Sequence, residues 1–339
     1  MSNWYLQNGK ESDVVISTRV RLNRNLENFK FINKCSKQDK ENILKTIENI
    51  TPSIGYGLKM MKLKDIDQIT KMSLVEKHLI SPQFANADPN GLAILINNEE
   101  NICIMINEDD HIKIQVFSEG MAIKDNINLA VEIDKKIEKL IDYAYNSKYG
   151  YLTSCPTDMG TGMKVSTMIH LPGLAQTGNI NKIIRIVNSF GMSIKGSYKD
   201  GTESKGDIYI ISNIKTLGYS EEEIGKNVRT ITDQIIEQER TARKYLSKNG
   251  IELENRLYRA FGLLMYSKIL SQDECIELLS DIKLGTDLGI IKELDDQKVK
   301  KLYLYTQNAN MQKYFGKTMS GIDEEAKRSE LIKQIINEN

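Results

Sequence analysis

Only five prolines, four cysteines, three histidines and one tryptophan occur in this chain of 339 residues, and Lys plus Arg balance Asp plus Glu at 46 each. The charge balance leaves no overall cationic field, so neither nucleic acid nor an anionic membrane is an expected partner, and any polyanion site has to be local. Cys35, Cys103, Cys155 and Cys275 follow no C-x-x-C spacing, which argues against a disulfide framework and against a zinc knuckle. His78, His111 and His170 lie far apart without H-E-x-x-H or facial-triad spacing, so no metal site built by the protein itself is expected. A basic stretch followed by an apolar one is missing from the first residues, and the longest apolar runs are strand-sized, such as Ile208 to Ile211. No membrane span is expected, and the chain reads as cytoplasmic.

What is present is an ordinary globular composition, 40% hydrophobic and 27% charged, at a length that suggests two domains. Without low-complexity tracts, the division has to be read from a change of rhythm, which falls near Gly218. Before it come strand-type runs: Val14 to Ser17, Leu92 to Ile96, Ile102 to Ile106, Ile112 to Phe117, Val165 to Leu171, Met192 to Lys195 and Ile208 to Ser212. The Asn97 to Asn101 connection joins two of them as a hairpin, so the sheet is at least partly antiparallel. Ile127, Ala130, Ile133, Ile137, Leu140, Ile141 and Ala144 repeat at helical spacing. Helices on a largely antiparallel sheet make an α+β domain.

After Gly218 the pattern is helical. A long amphipathic helix carries Ile224, Val228, Ile231, Ile235 and Ala242 and is expected to end at Gly250. Helices follow at about 253–270, 272–282, 296–306 and 323–336. The expected division is therefore a catalytic domain over 1–250 and an all-α domain over 251–339. Glu237, Glu239, Arg240, Arg243 and Lys244 read as the solvated face of the long helix.

Four short stretches stand apart from this scaffold. In Ser17-Thr18-Arg19-Val20-Arg21-Leu22-Asn23-Arg24, Arg19 and Arg21 project to one side of a strand, a geometry suited to gripping phosphate oxygens and equally to ordinary surface ion pairs. Asn107-Glu108-Asp109-Asp110-His111-Ile112-Lys113 gathers carboxylates, a histidine and a lysine between two strands, as a reactive site or as an acidic turn. Thr153 to Lys164 (TSCPTDMGTGMK) sets a cysteine, hydroxyls and two glycines in a loop, either to present backbone N–H groups and a thiolate to a ligand or to bury a thiol in a tight turn. Lys195 to Glu203 (KGSYKDGTE) is a Gly-rich loop with charges of both signs. No GxxxxGK[ST] occurs, so a P-loop is unsupported.

In this order the four stretches resemble the guanidino (phosphagen) kinase superfamily, and within it the bacterial protein arginine kinase branch. STRVR, NEDDH, SCPTDMGTGMK with VSTMIHLPGL, and GTESKGDIYIISN carry the resemblance, which continues into LLSDIKLGTDLGII of the tail. It implies ATP-dependent phosphorylation of arginine side chains in proteins, serving quality control, degradation or the stress response. The nucleotide would be bound with Mg²⁺ through its phosphates. Nucleotide contacts would fall on Ser17, Thr18, Arg19, Val20, Arg21, Lys113, Lys164, Val165, Ser166, Thr167, Met168, Lys195, Gly196, Ser197, Tyr198, Lys199 and Asp200, with His78 near the base. Asp109 and Asp200, with Glu203 as a substitute, would orient and deprotonate the guanidinium, and Cys155 would lie beside it. Expected partners are proteins with exposed arginines, an activator protein, protease machinery and a second copy of the chain.

This sequence departs from the family's pattern. Lys113, Lys164 and Lys195 stand where arginines are usual, keeping the charge and losing the planar fork. Asp109 and Asp200 replace glutamates, each shorter by a methylene, and Asp158 replaces an asparagine. In the tail, Glu324-Glu325-Ala326-Lys327-Arg328-Ser329 replaces the branch's phosphoarginine-reading motif, and Glu324 would repel a phosphoryl group there. The alternative reading is a catalytically weakened or inactive scaffold of the same fold that binds nucleotide or partner proteins.

Overall fold

The computed structural model describes residues 3–197 and 204–338. Its strands are β1 (Val15–Arg24), β2 (Lys59–Lys62), β3 (Ala93–Ile96), β4 (Ile102–Ile106), β5 (Ile112–Glu119), the short pair β6 (Tyr145–Asn146) and β7 (Gly150–Tyr151), β8 (Met163–His170), β9 (Met192–Gly196) and β10 (Ile208–Asn213). Eight of them form one sheet in the order β2-β3-β4-β5-β1-β8-β10-β9, and every neighbouring pair is antiparallel. The helices are α1 (Lys37–Ile54), α2 (Gln68–Glu76), α3 (Pro82–Ala85), α4 (Ile123–Glu138), α5 (Pro172–Gln176), α6 (Ile180–Ser189), α7 (Glu221–Leu246), α8 (Gly250–Tyr266), α9 (Gln272–Asp287), α10 (Asp296–Tyr305), α11 (Asn308–Phe315) and α12 (Gly321–Asn337).

Because strand side chains alternate, the sheet has two chemically distinct faces. Val20, Leu22, Ile114, Val116, Val165 and Ile211 point to one of them and pack with Ile47 of α1, Ile133 of α4, Val187 of α6 and Val228 of α7. The opposite face begins apolar at the β3–β4 end, where Ile94, Met105 and Phe117 pack with Trp4, Leu79 and Phe84. It turns polar and cationic at β1, β8 and β9. Burying one face fixes the register, since a slip by one residue would send Arg19 and Arg21 into the hydrophobic core.

The helical tail packs its own core from Leu257, Leu264, Leu279, Leu302, Leu331 and Ile332. Several polar contacts join it to the sheet domain, and two of them show how. At one, Lys283 Nζ donates to the Ser12 carbonyl at 3.0 Å, and His170 Nε2 and Ser280 Oγ are 2.8 Å apart. At the other, the Glu76 carboxylate accepts the N–H groups of Ala309 and Asn310, both at 2.8 Å, and so caps α11.

Three expectations need correction. Gly250 does not end α7: a short 3₁₀ turn at Ser247–Asn249 carries the chain on, and Gly250 opens α8 with φ −45°, so no left-handed residue is required. The helix expected to reach Ala144 stops at Glu138, and the Ala144 N–H pairs with the Asn25 carbonyl instead. The charged cluster on α7 is not a solvated face throughout. Glu239 is fully buried, accepting the N–H groups of Gly173 and Leu174 at the start of α5 at 2.8 and 2.9 Å. Arg243, also buried, donates to Glu239 at 2.7 Å. A buried helix start needs acceptors for its free N–H groups, and a carboxylate from α7 supplies them.

Candidate active site

Strand register assembles the cationic face row by row. Arg21 of β1 lies opposite Gln115 of β5 and Lys164 of β8, while Arg19 lies opposite Phe117 and Ser166. Ser17 lies opposite Glu119 and Met168, and Lys195 pairs with Ile210, which in turn pairs with Met168. One face therefore carries Ser17, Arg19, Arg21, Lys164, Ser166, Met168 and Lys195. Thr18, Val20, Val165 and Thr167, expected from the resemblance among the nucleotide contacts, point the other way. The Thr18 hydroxyl donates to the Gly120 carbonyl at 2.6 Å, and that of Thr167 lies 3.2 Å from the Thr232 hydroxyl on α7. Alternation alone removes these side chains from the site.

Arg19, Arg21, His78 and Glu108 line a cleft of about 790 Å³, closed on its far side by Gln272, Gln307 and Gln312 of the helical tail. Its cations are short of negative charge. Burial, with Arg21 alongside, pushes the Arg19 pKa well below the ordinary guanidinium value, and Glu108 only partly offsets this. Arg21 is lowered by burial against the pull of Glu108, Asp158 and Asp109. Lys164 is lowered by burial and by Arg21, Lys195 and Arg19, with Asp158 opposing. Guanidinium groups do not deprotonate in proteins, so these directions measure a demand for an anion.

His78 reaches the cleft from the end of α2. The His78 N–H bonds to the Val75 carbonyl at 2.8 Å and the Leu79 N–H to that of Leu74 at 2.9 Å, a Schellman termination. The residue after the helix is usually glycine there; His78 occupies it at φ 60°. Burial and the nearby Arg19 bring its pKa down to about 4, so the imidazole is neutral at neutral pH.

The acidic stretch divides its carboxylates among three tasks. Glu108 takes the Lys113 ammonium and accepts from the Ser81 hydroxyl at 2.7 Å. Asp109 is 75% exposed and lies 3.1 Å from Lys113 Nζ, so it remains accessible. Asp110, fully buried, accepts the Ser154 N–H at 2.7 Å and the Asn25 amide at 2.6 Å. It thereby staples the cysteine loop to the acidic turn, and burial raises its pKa against those hydrogen bonds. Lys113 is buried and neutralised by this turn, a tighter engagement than a free member of a phosphate cage would show.

Cys155 is exposed, its sulfur 3.0 Å from the Thr157 hydroxyl. Asp158 of the same loop accepts from the Asn23 amide at 3.1 Å, bringing the loop to the end of β1 beside Arg21. Below it lies Arg24, 1% exposed, whose Nη1 donates to the Thr161 carbonyl at 2.9 Å and whose Nη2 meets Asp134 at 2.6 Å. The Tyr151 ring covers Arg24, with 3.6 Å from Cζ to the ring centroid. Gly196 and Ser197 are buried at the end of β9. Tyr198, Lys199, Asp200 and Glu203 lie outside the described residues.

The thiols differ enough for a direct check. Cys103 and Cys275 are buried and their pKa values are pushed up by desolvation, that of Cys275 to about 11; Cys35 is also raised. A soft alkylating reagent should therefore label Cys155 first under native conditions, read by mass spectrometry of the digest. Equal labelling of all four would place Cys155 in a packed turn instead.

Sequence reasoning missed Glu108, Asp110 and Arg24 as separate actors. The signal was limited: three consecutive carboxylates cannot be sorted by spacing, and Arg24 differs from Arg19 and Arg21 only in breaking their odd-numbered alternation.

Two family patterns match the chain. "ATP:guanido phosphotransferase, C-terminal catalytic domain" covers residues 40–242, and "Protein-arginine kinase McsB C-terminal domain" covers residues 250–339. A protein-arginine kinase of Halothermothrix orenii is 40% identical over 339 residues, 99% of this chain and 97% of that protein. One from a Geobacillus species is 40% identical over 340 residues, covering 98% and 93%. Among solved structures, the duplicated taurocyamine kinase from Schistosoma mansoni with bound transition state analog components is similar at a TM-score of 0.61 and 27% identity. That likeness covers 67% of this chain and 33% of the other.

Proposed function

The chain belongs to the protein-arginine kinase family of ATP:guanido phosphotransferases, and from that premise we propose that it transfers the γ-phosphoryl group of ATP to arginine side chains of proteins on the cationic face of its sheet. The observation that carries this reading is the convergence around Arg21, where unsatisfied cations, the acidic turn and the cysteine loop meet.

Phosphoryl transfer asks the protein mainly to position two reactants and to stabilise the charge spread over the moving group. Arg19 and Arg21 hold phosphate oxygens in their planar forks, and Lys164 and Lys195 add charge from the neighbouring strands. The neutral His78 ring lies toward the base. Mg²⁺ fits as an ion carried on the nucleotide: the Glu108 carboxylate lines the cleft, and among the described residues no cluster of three or more potential ligands competes for the metal. When bound it supplies charge neutralisation at the phosphates.

The acceptor guanidinium enters at the other end of the row, between Asp109 and Cys155. Asp109 orients it and takes its proton as the N–P bond forms and the bond to the leaving ADP oxygen breaks. Asp200 and Glu203 are assigned the matching role from the Gly-rich loop. Asp110 and Arg24 hold the cysteine loop at the distance the transfer needs, since a displacement near 1 Å costs about a hundredfold in rate.

Residues 1–250 serve as the catalytic domain and 251–339 as a helical domain that closes the cleft and pairs with a second copy. Exposed Ile251, Tyr258, Leu263 and Tyr266 on α8 support the pairing. No helix among the described residues is long and apolar enough to cross a membrane, in keeping with a cytoplasmic enzyme that marks proteins for quality control with an activator and a protease.

The test is incubation with Mg²⁺ and γ-labelled ATP and an unfolded, arginine-rich protein. Acid-labile label is expected in that protein and is expected to disappear when its arginines are replaced by lysine. Nucleotide binding without transfer would favour the scaffold reading.

A further inference from the structure

The loop that carries Cys155 is gripped from two sides. On one, Tyr151 of β7 and Gly160 exchange backbone hydrogen bonds at 2.9 and 3.3 Å, so the β6–β7 hairpin lies against the loop. On the other, the Thr216 hydroxyl donates to the carbonyls of Thr157, at 3.1 Å, and of Met159. Both approaches are too close for a Cβ. One at Gly160 would stand 2.9 Å from Leu217 Cα, and one at Gly150 would stand 2.6 Å from the Gly160 carbonyl oxygen.

Both gripping segments expose apolar side chains. Tyr145 and Tyr149 stand out from the hairpin, and Ile214, Leu217 and Tyr219 from the segment between β10 and α7. Of fifteen large apolar side chains exposed among the described residues, these five gather on two short segments beside one loop. Single exposed apolar residues need no explanation, whereas a group of them marks an interaction surface. The hydrogen bonds of the grip come from backbone groups and one hydroxyl, so they do not require these side chains.

We propose that these five side chains dock the polypeptide on either side of the acceptor arginine, and that the protein favours arginines with apolar or aromatic neighbours. The inference rests on the kinase reading, in which the acceptor guanidinium enters beside Cys155. An arginine within a protein brings its neighbours with it. An extended chain advances about 3.3 Å per residue, so residues two or three places from the arginine lie about 7–10 Å away and meet whatever flanks the loop. Here that surface is apolar. The occupant is thus an extended segment with apolar residues near its arginine, which a folded protein keeps in its core and an unfolded one presents.

The test uses two end-blocked peptides with one central arginine, flanked by leucine and phenylalanine in the first and by serine in the second. Initial rates of arginine phosphorylation by the full chain, with Mg²⁺ and ATP, give kcat/KM for each. The apolar-flanked peptide should be favoured by about tenfold or more, carried by KM, since partial burial of one or two apolar side chains suffices for that factor. A Tyr149→Ser, Leu217→Ser double variant should bring the ratio close to one without moving the urea unfolding midpoint, because both side chains are exposed. Equal kcat/KM for the two peptides in the parent chain, or an unchanged ratio in the double variant, would overturn the docking surface and leave the kinase reading intact. An unchanged ratio together with a smaller assembly in sedimentation would give the surface to a second copy of the chain instead. Absence of phosphoarginine in both peptides would overturn the two readings together.

Discussion

Arg21→Ala should lower the rate of phosphoryl transfer by about a thousandfold, with weakened ATP binding and an unchanged unfolding midpoint. Arg21 occupies the centre of the site electrostatically, with Glu108, Asp158 and Asp109 as its acidic neighbours and Lys164 beside it on β8. On the proposed assignment, removing it takes away a fork-shaped donor aimed where transition-state charge accumulates, and groups of that kind are worth about 10²–10⁵ in rate. Among the described residues no ion pair to Arg21 is seen, so the fold gains little from its burial. Arg21→Lys keeps the charge and loses the fork, and should fall between parent and alanine variant. Steady-state kinetics against ATP, with urea unfolding of the same samples, separates the effects. Parent-like transfer by Arg21→Ala would remove β1 from the phosphate site.

The second large effect concerns stability. Asp134→Ala should destabilise the chain by about 3–5 kcal/mol, because the Arg24 guanidinium would remain buried without its carboxylate. Arg24 is 1% exposed, and Asp134 Oδ2 accepts from its Nη2 at 2.6 Å and its Nε at 3.2 Å. Its remaining donor goes to the carbonyls of Asn23 and Thr161 at 2.8 and 2.9 Å. An Arg24→Met, Asp134→Leu double variant should recover much of the loss, since an apolar pair of similar volume avoids desolvating two charges. It should not recover activity, because the Thr161 carbonyl would no longer be tied and the cysteine loop would shift. Urea unfolding measures the first part and transfer kinetics the second. A double variant with full activity would show that Arg24 does not position the loop.

The two faces of β1 explain what could be read from the sequence. Arg19 and Arg21 at period two, against Val20 and Leu22, already fixed which side chains share a face, and the observed register agrees. The same rule, applied strictly, would have withdrawn Thr18, Val20, Val165 and Thr167 from the contacts that the resemblance suggested. Strands β3, β4 and β5 were legible as apolar runs of strand length. β2, with the sequence Lys-Met-Met-Lys, was not, because an edge strand of four residues carries no alternation to detect. Glu239 was misassigned for another reason. A carboxylate that caps a distant helix looks in sequence like any charge on a helix face, and only the position of α5 shows that it is enclosed. The closure of the cleft by Gln307 and Gln312 was equally hidden, since it depends on how two separately packed cores meet.

Whether the proposed sheet face moves phosphate from ATP to a guanidinium nitrogen is read most directly from a single turnover with Mg²⁺ and ATP on an unfolded protein substrate, quenched at neutral pH, with the modified residues located by mass spectrometry. Phosphate is expected on arginine in the parent chain, with none above background in Arg21→Ala. Phosphate confined to hydroxyl side chains, or ATP consumed to free phosphate with no modified arginine, would contradict it.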